Sequence, residues 1–345
     1  MDVLLVQDGG CAPGYNPVTA FLVNDLEKNK RSCFIAYEGF KSLVSGKIVD
    51  FRRLAYDKNL FHSLEHIPGV INAAPLSEDR GASFRTERYR EFLKDDRQKE
   101  AASHIHKRGV KALITIGGNG TFAGTKDLCR FLDKSIQVFF IPVTIDSDVS
   151  HTECIGQHTG VECGAEKIRC YMADARTHKR IYIVEMMGAR GGFHALHSCL
   201  GARAHLAVLP GTELDIRKAA QALAHKEEAV IVVAEGYKEK ERIRDGFEGN
   251  AALYFCQELL STNISLNKRI VCEAFARDIR GAAPNNIDIT LCQQMAHNTT
   301  QYLVDGKSRL MSSVSSGHSK EIPFDVITTE NHIHHEFYKI SNRLY

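Results

Sequence analysis

The stretch Ala112–Thr121 reads ALITIGGNGT, and its two halves favour different conformations. Ala112–Ile116 is a short apolar, β-branched run entered through Gly109, the pattern of a strand covered on both faces. The glycines that follow let the backbone turn sharply and approach a ligand closely, and a helix is predicted from about Thr121 to Phe131. Free N–H groups at the start of such a helix attract anions, so Gly118, Asn119, Gly120 and Thr121 form a candidate phosphate cradle. Without a ligand the same block is a tight turn, so the flanking sequence has to decide.

Working outward, short apolar runs alternate with amphipathic ones. Upstream, Val3–Gln7 reads as a strand, Asp8–Tyr15 as a Gly/Pro loop, and Asn16-Pro17 as the N-cap and first turn of a helix to about Lys28. Cys33–Tyr37 is a second strand, and Ala101–Lys107 is the helix before Gly109. Downstream come strands at Val138–Ile141, Ile181–Glu185, Leu206–Leu209 and Ala229–Ala234. Helices near Val161–Ala175, His194–Gly201 and Ile216–Ala224 alternate with them. Residues 54–90 show no clear pattern and read mainly as loop and surface. This alternation specifies an α/β protein with mostly parallel sheets, and no internal repeat interrupts it.

Composition sets the limits. A chain of 345 residues calls for two domains, and 43% hydrophobic with 25% charged residues is a globular balance. A formal net charge of +2 gives no field to draw the molecule to nucleic acid. No run approaches the roughly 20 apolar residues needed to cross a bilayer, so no membrane partner is expected. The start MDVLLVQDGG lacks the basic segment and longer apolar core of a signal peptide, which points to the cytoplasm. Ten cysteines with no CxxC pair read as reduced thiols rather than a zinc or redox motif.

Two nucleotide signatures can be tested on the central turn. Gly306-Lys307-Ser308 would end a Walker A loop, but Gln301 stands where its first glycine must be. Gly118, Gly120 and Ala123 satisfy the dinucleotide-binding spacing, but the next strand ends Phe140-Ile141-Pro142-Val143 with no ribose-binding acid. A second glycine-rich loop, Asp8–Asn16 (DGGCAPGYN), would lie at the same sheet edge in a parallel sheet, suggesting one extended polyphosphate. A third loop, Pro142–Asp148 (PVTIDSD), adds two carboxylates at i and i+2. One can accept a proton from an attacking hydroxyl while the other helps hold a metal that neutralises phosphate charge.

These loops, GGCAPGYN, GGNGT and PVTIDSD in that order, resemble the GGxxPGxN, GGDGT/S and PxTIDxD loops of the phosphofructokinase family. Val184–Gly188 (VEMMG) is similar to its VEVMGR segment, Thr177–Arg180 to the place of a sugar-phosphate arginine, and Ala234–Gly236 to a glutamate that holds sugar hydroxyls. Arg277–Gly281 (RDIRG) is similar to its late arginine cluster. The likeness runs from about residue 3 to about 305.

The resemblance implies two doubly wound, mostly parallel-sheet domains with the active site in the cleft between them. Residues 1–157, completed by about 277–325, would bind the donor; residues 158–276, completed by about 326–345, would bind the sugar phosphate. It implies transfer of a phosphoryl group from ATP or pyrophosphate to the 1-hydroxyl of fructose 6-phosphate, with Mg2+, in a homodimer or homotetramer. Carried over, Asp146 is the general base, Thr144 positions the hydroxyl or the phosphoryl group, and Arg190 is the displaced transition-state arginine. Gly9, Gly10, Arg85, Gly118, Asn119, Gly120 and Thr121 would hold the donor. Asp148 and Asn119 would support the metal. Asp148, Arg180, Met187, Gly188, Glu235, Arg277 and Arg280, with Thr144 and Asp146, would bind the acceptor.

Departures from the family pattern open a second reading. Asn119 replaces the GGD aspartate, removing a charge from the metal shell. Ala189 replaces the MGR arginine, with Arg190 one position later. Gly120 fits the ATP pattern, Val143 fits neither donor pattern, and ARDIRGAAPNNIDITLCQQ (276–294) is closer to the pyrophosphate branch. The alternative is a catalytically weak paralogue acting as a regulatory or structural subunit. A lipid or nicotinamide-nucleotide kinase would share the GGNGT loop but not the TIDSD loop or the later arginines. Asn331–Glu336 (NHIHHE) reads as a solvated segment rather than a metal site, and Lys238–Arg244 (KEKERIR) as an exposed connection.

Overall fold

The structure, a computed structural model, describes residues 2–51, 80–275, 277–329 and 335–344. Residues 54–79 of the unpatterned stretch, Ala276 and most of the histidine-rich segment (331–334) lie outside the described residues. The chain divides into two compact units. The first comprises Met1–Thr144, Asp148–Thr159 and Arg280–Glu330; the second comprises Ile145–Ser147, Gly160–Ile279 and Asn331–Tyr345.

The first unit contains β1 (Val3–Gln7), α1 (Tyr15–Lys28), β2 (Cys33–Ala36), α2 (Phe40–Ser45) and β3 (Ile48–Asp50). They are followed by a 3-10 turn (Arg90–Leu93), α3 (Asp95–Lys107), β4 (Ala112–Gly117), α4 (Asn119–Leu128) and β5 (Gln137–Pro142). Its strands form one sheet in the order β11-β10-β5-β4-β1-β2-β3, completed from the far end of the chain by β10 (Leu310–Ser315) and β11 (His318–Pro323). β10, β5, β4, β1 and β2 run parallel, while β3 and β11 close the edges antiparallel. Every residue of β1 is buried. Leu4 and Val6 pack with Phe40, Phe92, Phe122 and Phe140, and by alternation Val3 and Leu5 bury the opposite face. That double burial explains the continuous apolar runs in the sequence.

The second unit is built on a four-stranded, all-parallel sheet, β7-β8-β6-β9. Its strands are β6 (Ile181–Met186), β7 (Leu206–Val208), β8 (Ala229–Ala234) and β9 (Ile270–Phe275). Between them run α6 (Phe193–Ala202), α7 (Ile216–His225), α8 (Glu239–Arg244) and α9 (Ala251–Ser261). α5 (Gln157–His178) precedes β6, α10 (Arg277–Arg280) follows β9 and α12 (His335–Ser341) comes last, while α11 (Asn286–Val304) belongs to the first unit and packs against α1. Ile181, Ile183, Val208, Ile231, Val233 and Phe255 form the centre of its core. Among the described residues no helix is long and apolar enough to cross a membrane.

Three sequence expectations need correction. Helix α1 starts at Tyr15, capped by Gly14 in a left-handed conformation that favours glycine (φ 110°), so Asn16 lies inside the first turn. Its amide is used for tertiary contact instead: Oδ1 accepts from the Ser83 N–H at 2.8 Å. Helix α4 begins at Asn119, so Asn119 and Gly120 belong to its first turn. Lys238–Arg244 is largely helix α8, with none of its residues buried, Glu239 and Glu241 in its first turn and Arg242 and Arg244 in its last. Those charges complement the helix dipole, which lets a helix form with no buried face.

Candidate active site

In the first unit the three predicted loops leave the carboxyl ends of three adjacent strands, β1, β4 and β5. They interlock through the backbone. Asp8 N–H donates to the Ile116 carbonyl at 3.0 Å, and Val143 N–H donates to the Gly117 carbonyl at 2.8 Å. Thr121 Oγ1 and the Tyr15 hydroxyl both donate to the Asp8 carbonyl, at 3.0 and 2.7 Å. A Cβ on Gly117 would lie 2.3 Å from the Asp8 carbonyl oxygen, so only glycine fits where the first two loops cross. Gly9 stands over the Thr121 hydroxyl and Gly118 over the Thr144 side chain, while Gly120 faces open space. Asn119 and Gly120 are exposed at the positive end of α4.

Two arginines converge on Gly10. A Cβ there would come within 2.6 Å of Arg280 Nη1 and 2.9 Å of Arg88 Nη2. Arg280 Nη1 also donates to the Cys11 carbonyl at 3.2 Å, which holds the guanidinium against the loop. Arg85, the predicted donor ligand, lies elsewhere: it is two-thirds exposed, pairs with Glu38 at 3.7 Å and lies 5.4 Å from the Tyr37 ring centre. Arg88, three residues on in GASFRTER, carried no signal that set it apart from its charged neighbours.

Asp8 was also not singled out by the sequence. It is buried under these loops, and Oδ1 accepts from the Phe40 N–H at 3.1 Å. Burial pushes its carboxyl up to about 7, against the opposing pull of that N–H and the Thr121 hydroxyl.

Asp148 is almost wholly buried after β5, with Oδ1 3.5 Å from Thr144 Oγ1. Among the described residues no three His, Cys, Asp or Glu side chains gather around a common cation position. One carboxylate beside a hydroxyl does fit Mg2+ arriving on a polyphosphate. That ion keeps several waters and uses one or two carboxylates plus substrate phosphates.

In the second unit His194 fixes the backbone next to Asp146. The buried imidazole donates from Nε2 to the carbonyl of Ile145, and Gly160 leaves room for the ring, since a Cβ there would lie 2.3 Å from Cε1. Asp146 is half-buried.

At the carboxyl ends of β6 and β8, Glu235 accepts from the N–H groups of Gly188 and Ala189 at 3.2 and 3.1 Å. Ala189 takes a left-handed turn (φ 49°), and Gly236 packs 2.7 Å, as a Cβ would measure it, from the Ala189 carbonyl. Glu235 therefore props the turn that follows half-buried Met187. Arg190 points to Glu239 at 3.0 Å and is 83% exposed. Arg277 opens α10, directly beyond the β9 residues that pair with the same end of β6.

Arg180 is separate from this group. It precedes β6, pairing with Asp174 at 3.5 Å, whereas Met187 and Gly188 follow that strand. A six-residue strand puts roughly 20 Å between its ends.

The phosphofructokinase family profile matches residues 2–303. An ATP-dependent 6-phosphofructokinase from Thermotoga neapolitana is 27% identical over 349 residues, 99% of this chain and 99% of its own. Another from Aquifex aeolicus is 31% identical over 257 residues, 71% of this chain and 72% of its own. In three dimensions, a pyrophosphate-dependent phosphofructokinase from Nitrosospira multiformis superposes with a TM-score of 0.78 at 15% identity, covering 96% of this chain and 85% of that one. Pichia pastoris phosphofructokinase gives 0.77 at 20% identity over 94% of this chain, which spans 35% of the Pichia chain. The mixed α/β fold with mostly parallel sheets is thus that of solved phosphofructokinases.

Proposed function

The chain belongs to the phosphofructokinase family, and from that premise we propose that it transfers a phosphoryl group to the 1-hydroxyl of fructose 6-phosphate, giving fructose 1,6-bisphosphate. The observation that carries the reading is the interlocked set of three loops at the ends of β1, β4 and β5. ATP is the proposed donor, supported by Gly120 and by the names of the sequence relatives, with pyrophosphate as the competing one. The setting is the cytoplasm and the assembly a homo-oligomer.

Phosphoryl transfer asks a protein mostly to position groups and neutralise charge. In the proposed mechanism Asp146 takes the proton of the attacking hydroxyl, and the His194 contact to Ile145 holds the backbone beside it. Thr144 orients that hydroxyl or the phosphoryl group. The Gly10 N–H, with Arg88 and Arg280 beside it, receives the charge of the transferring phosphate. Gly118, Gly120 and Thr121 hold the donor phosphates at the start of α4, and Asp148 is the carboxylate available to Mg2+. When bound, that ion would neutralise phosphate charge. Met187, Glu235 and Arg277 serve the acceptor, with Glu235 acting through the Gly188–Ala189 turn as well.

The second reading, a weak paralogue with a binding role, is favoured by one observation: Arg190 is exposed and engaged with Glu239. A coupled assay with fructose 6-phosphate and magnesium, run in parallel with ATP and with pyrophosphate, decides between them. Turnover with one donor that drops by about 10²- to 10⁴-fold in Asp146→Asn supports the kinase. Absence of turnover with both donors, in folded protein that still binds the sugar phosphate, overturns it in favour of the paralogue.

A further inference from the structure

Cys256 on α9 and Cys272 on β9 are two of ten free cysteines. They stand side by side. Helix α9 packs against β9, and Cys272 Sγ reaches the carbonyl of Ala252 at 3.8 Å. In a helix that carbonyl points along the axis toward residue i+4, which here is Cys256. That places the Cys272 sulfur against the turn of α9 that carries Cys256. Both are half-buried, whereas Cys33, Cys154, Cys199 and Cys292 are closed off from solvent. A thiol donor beside Cys256 favours its thiolate and lowers its pKa to about 7, while Cys272 is kept protonated. Burial has the opposite effect on Cys11, Cys33, Cys129, Cys199 and Cys292, each of which is pushed up.

We propose that Cys256 and Cys272 form a reversible dithiol–disulfide couple oxidised by hydrogen peroxide. The Cys256 thiolate attacks one peroxide oxygen, the O–O bond breaks, and the departing hydroxide takes up a proton to leave as water. Cys256 is then a sulfenic acid. The Cys272 sulfur, releasing its proton, attacks the Cys256 sulfur; the S–O bond breaks, the S–S bond forms, and a second water leaves. Two thiols lose two electrons in total and one peroxide gains them. A small thiol reductant reverses the bond by exchange. The cross-link ties α9 to the edge strand of the second unit's sheet, the strand that runs toward Arg277.

The test uses the full chain. Reduced protein is treated with peroxide, remaining thiols are alkylated, and tryptic peptides are mapped without reductant; Lys268 and Arg269 allow cleavage between the two cysteines. The expected result is a Cys256–Cys272 linked species, lighter by two hydrogens than its separate peptides and lost on adding dithiothreitol. In Cys272→Ser, Cys256 is expected to accumulate as a sulfenic acid trapped by dimedone. In Cys256→Ser, Cys272 is expected to stay reduced at the same dose. Recovery of both cysteines alkylated while others oxidise overturns the proposal. So does over-oxidised Cys256 beside an alkylated Cys272. The mapping of the unmodified protein decides even where a variant fails to fold.

Discussion

Arg280 stands so close to Gly10 that a methyl group on that glycine would lie 2.6 Å from its Nη1 atom. Arg88 closes the same spot from another side, at 2.9 Å. Two guanidinium groups held against a residue with no side chain suit an anion, and Arg85, paired with Glu38 on the surface, does not share this position. Arg88→Ala is therefore expected to lower kcat/KM by about ten- to a hundredfold, the worth of a charged hydrogen bond. Arg85→Ala is expected to change it less than about threefold, the scale of an exposed ion pair. Steady-state kinetics of both variants side by side provide the check. A larger loss in Arg85→Ala would return the role to the residue chosen from sequence.

Asp8 links the same loops to pH. Its folded pKa, about 7, lies above the ordinary carboxylate value of 3.8, so the folded chain holds this proton where the unfolded chain has released it. Stability contributed by the proton is full below pH 3.8 and is lost as pH rises toward 7. The whole effect is of order 4 kcal/mol at most. Asp8→Asn keeps the acceptor for the Phe40 N–H and cannot ionise, so it is expected to raise the melting temperature at pH 8 and leave it nearly unchanged at pH 4. Thermal melts across that range would show it; equal shifts at both pH values would rule out the ionisation.

The fold was readable where burial was two-sided and the period clear. Val3–Gln7, Ala112–Ile116, Ile181–Glu185 and Ala229–Ala234 are each strands to within about a residue, because a strand covered by helices has little choice but Val, Ile, Leu and Ala. The hairpin β10–β11 was not readable. Its outer strand, HSKEIP, faces solvent almost throughout and carries no apolar alternation. Helix α11 buries Asp288, Thr299 and Thr300, which blurs its stripe. The site divides in the same way. Glycines that let loops cross were visible as motif letters, but the choice between Arg85 and Arg88 depends on how one turn is laid down. The separation of Arg180 from Met187 depends on the length of β6.

His194 is a positioning residue by geometry, since its ring holds the carbonyl of Ile145, the residue before Asp146. His194→Ala frees that backbone beside the proposed base. A misplacement of about 1 Å at a reacting group costs on the order of 10²-fold, so kcat is expected to fall by that factor with KM for the donor little changed. His194→Gln, whose amide can still donate to the carbonyl, is expected to recover a measurable part. Loss of donor affinity at unchanged kcat, or no recovery in the glutamine variant, would contradict the positioning role.

Asn119 offers a test in the direction of gain. It is exposed in the first turn of α4, beside the open face of Gly120, at the positive end of the helix. Asn119→Asp puts a carboxylate there at no steric cost. The helix dipole favours the change by about 0.3–1 kcal/mol, so a loss of stability is not expected. A second charged oxygen ligand would strengthen the proposed hard-cation site, to which Asp148 is assigned. The magnesium concentration for half-maximal activity is therefore expected to fall several-fold in Asn119→Asp, and to stay near its starting value in Asn119→Ala. A titration of activity against magnesium at saturating sugar phosphate reads both. If the aspartate variant leaves the midpoint where it was, position 119 is not part of the metal's surroundings in this chain, and the departure from the family pattern there has a different cause.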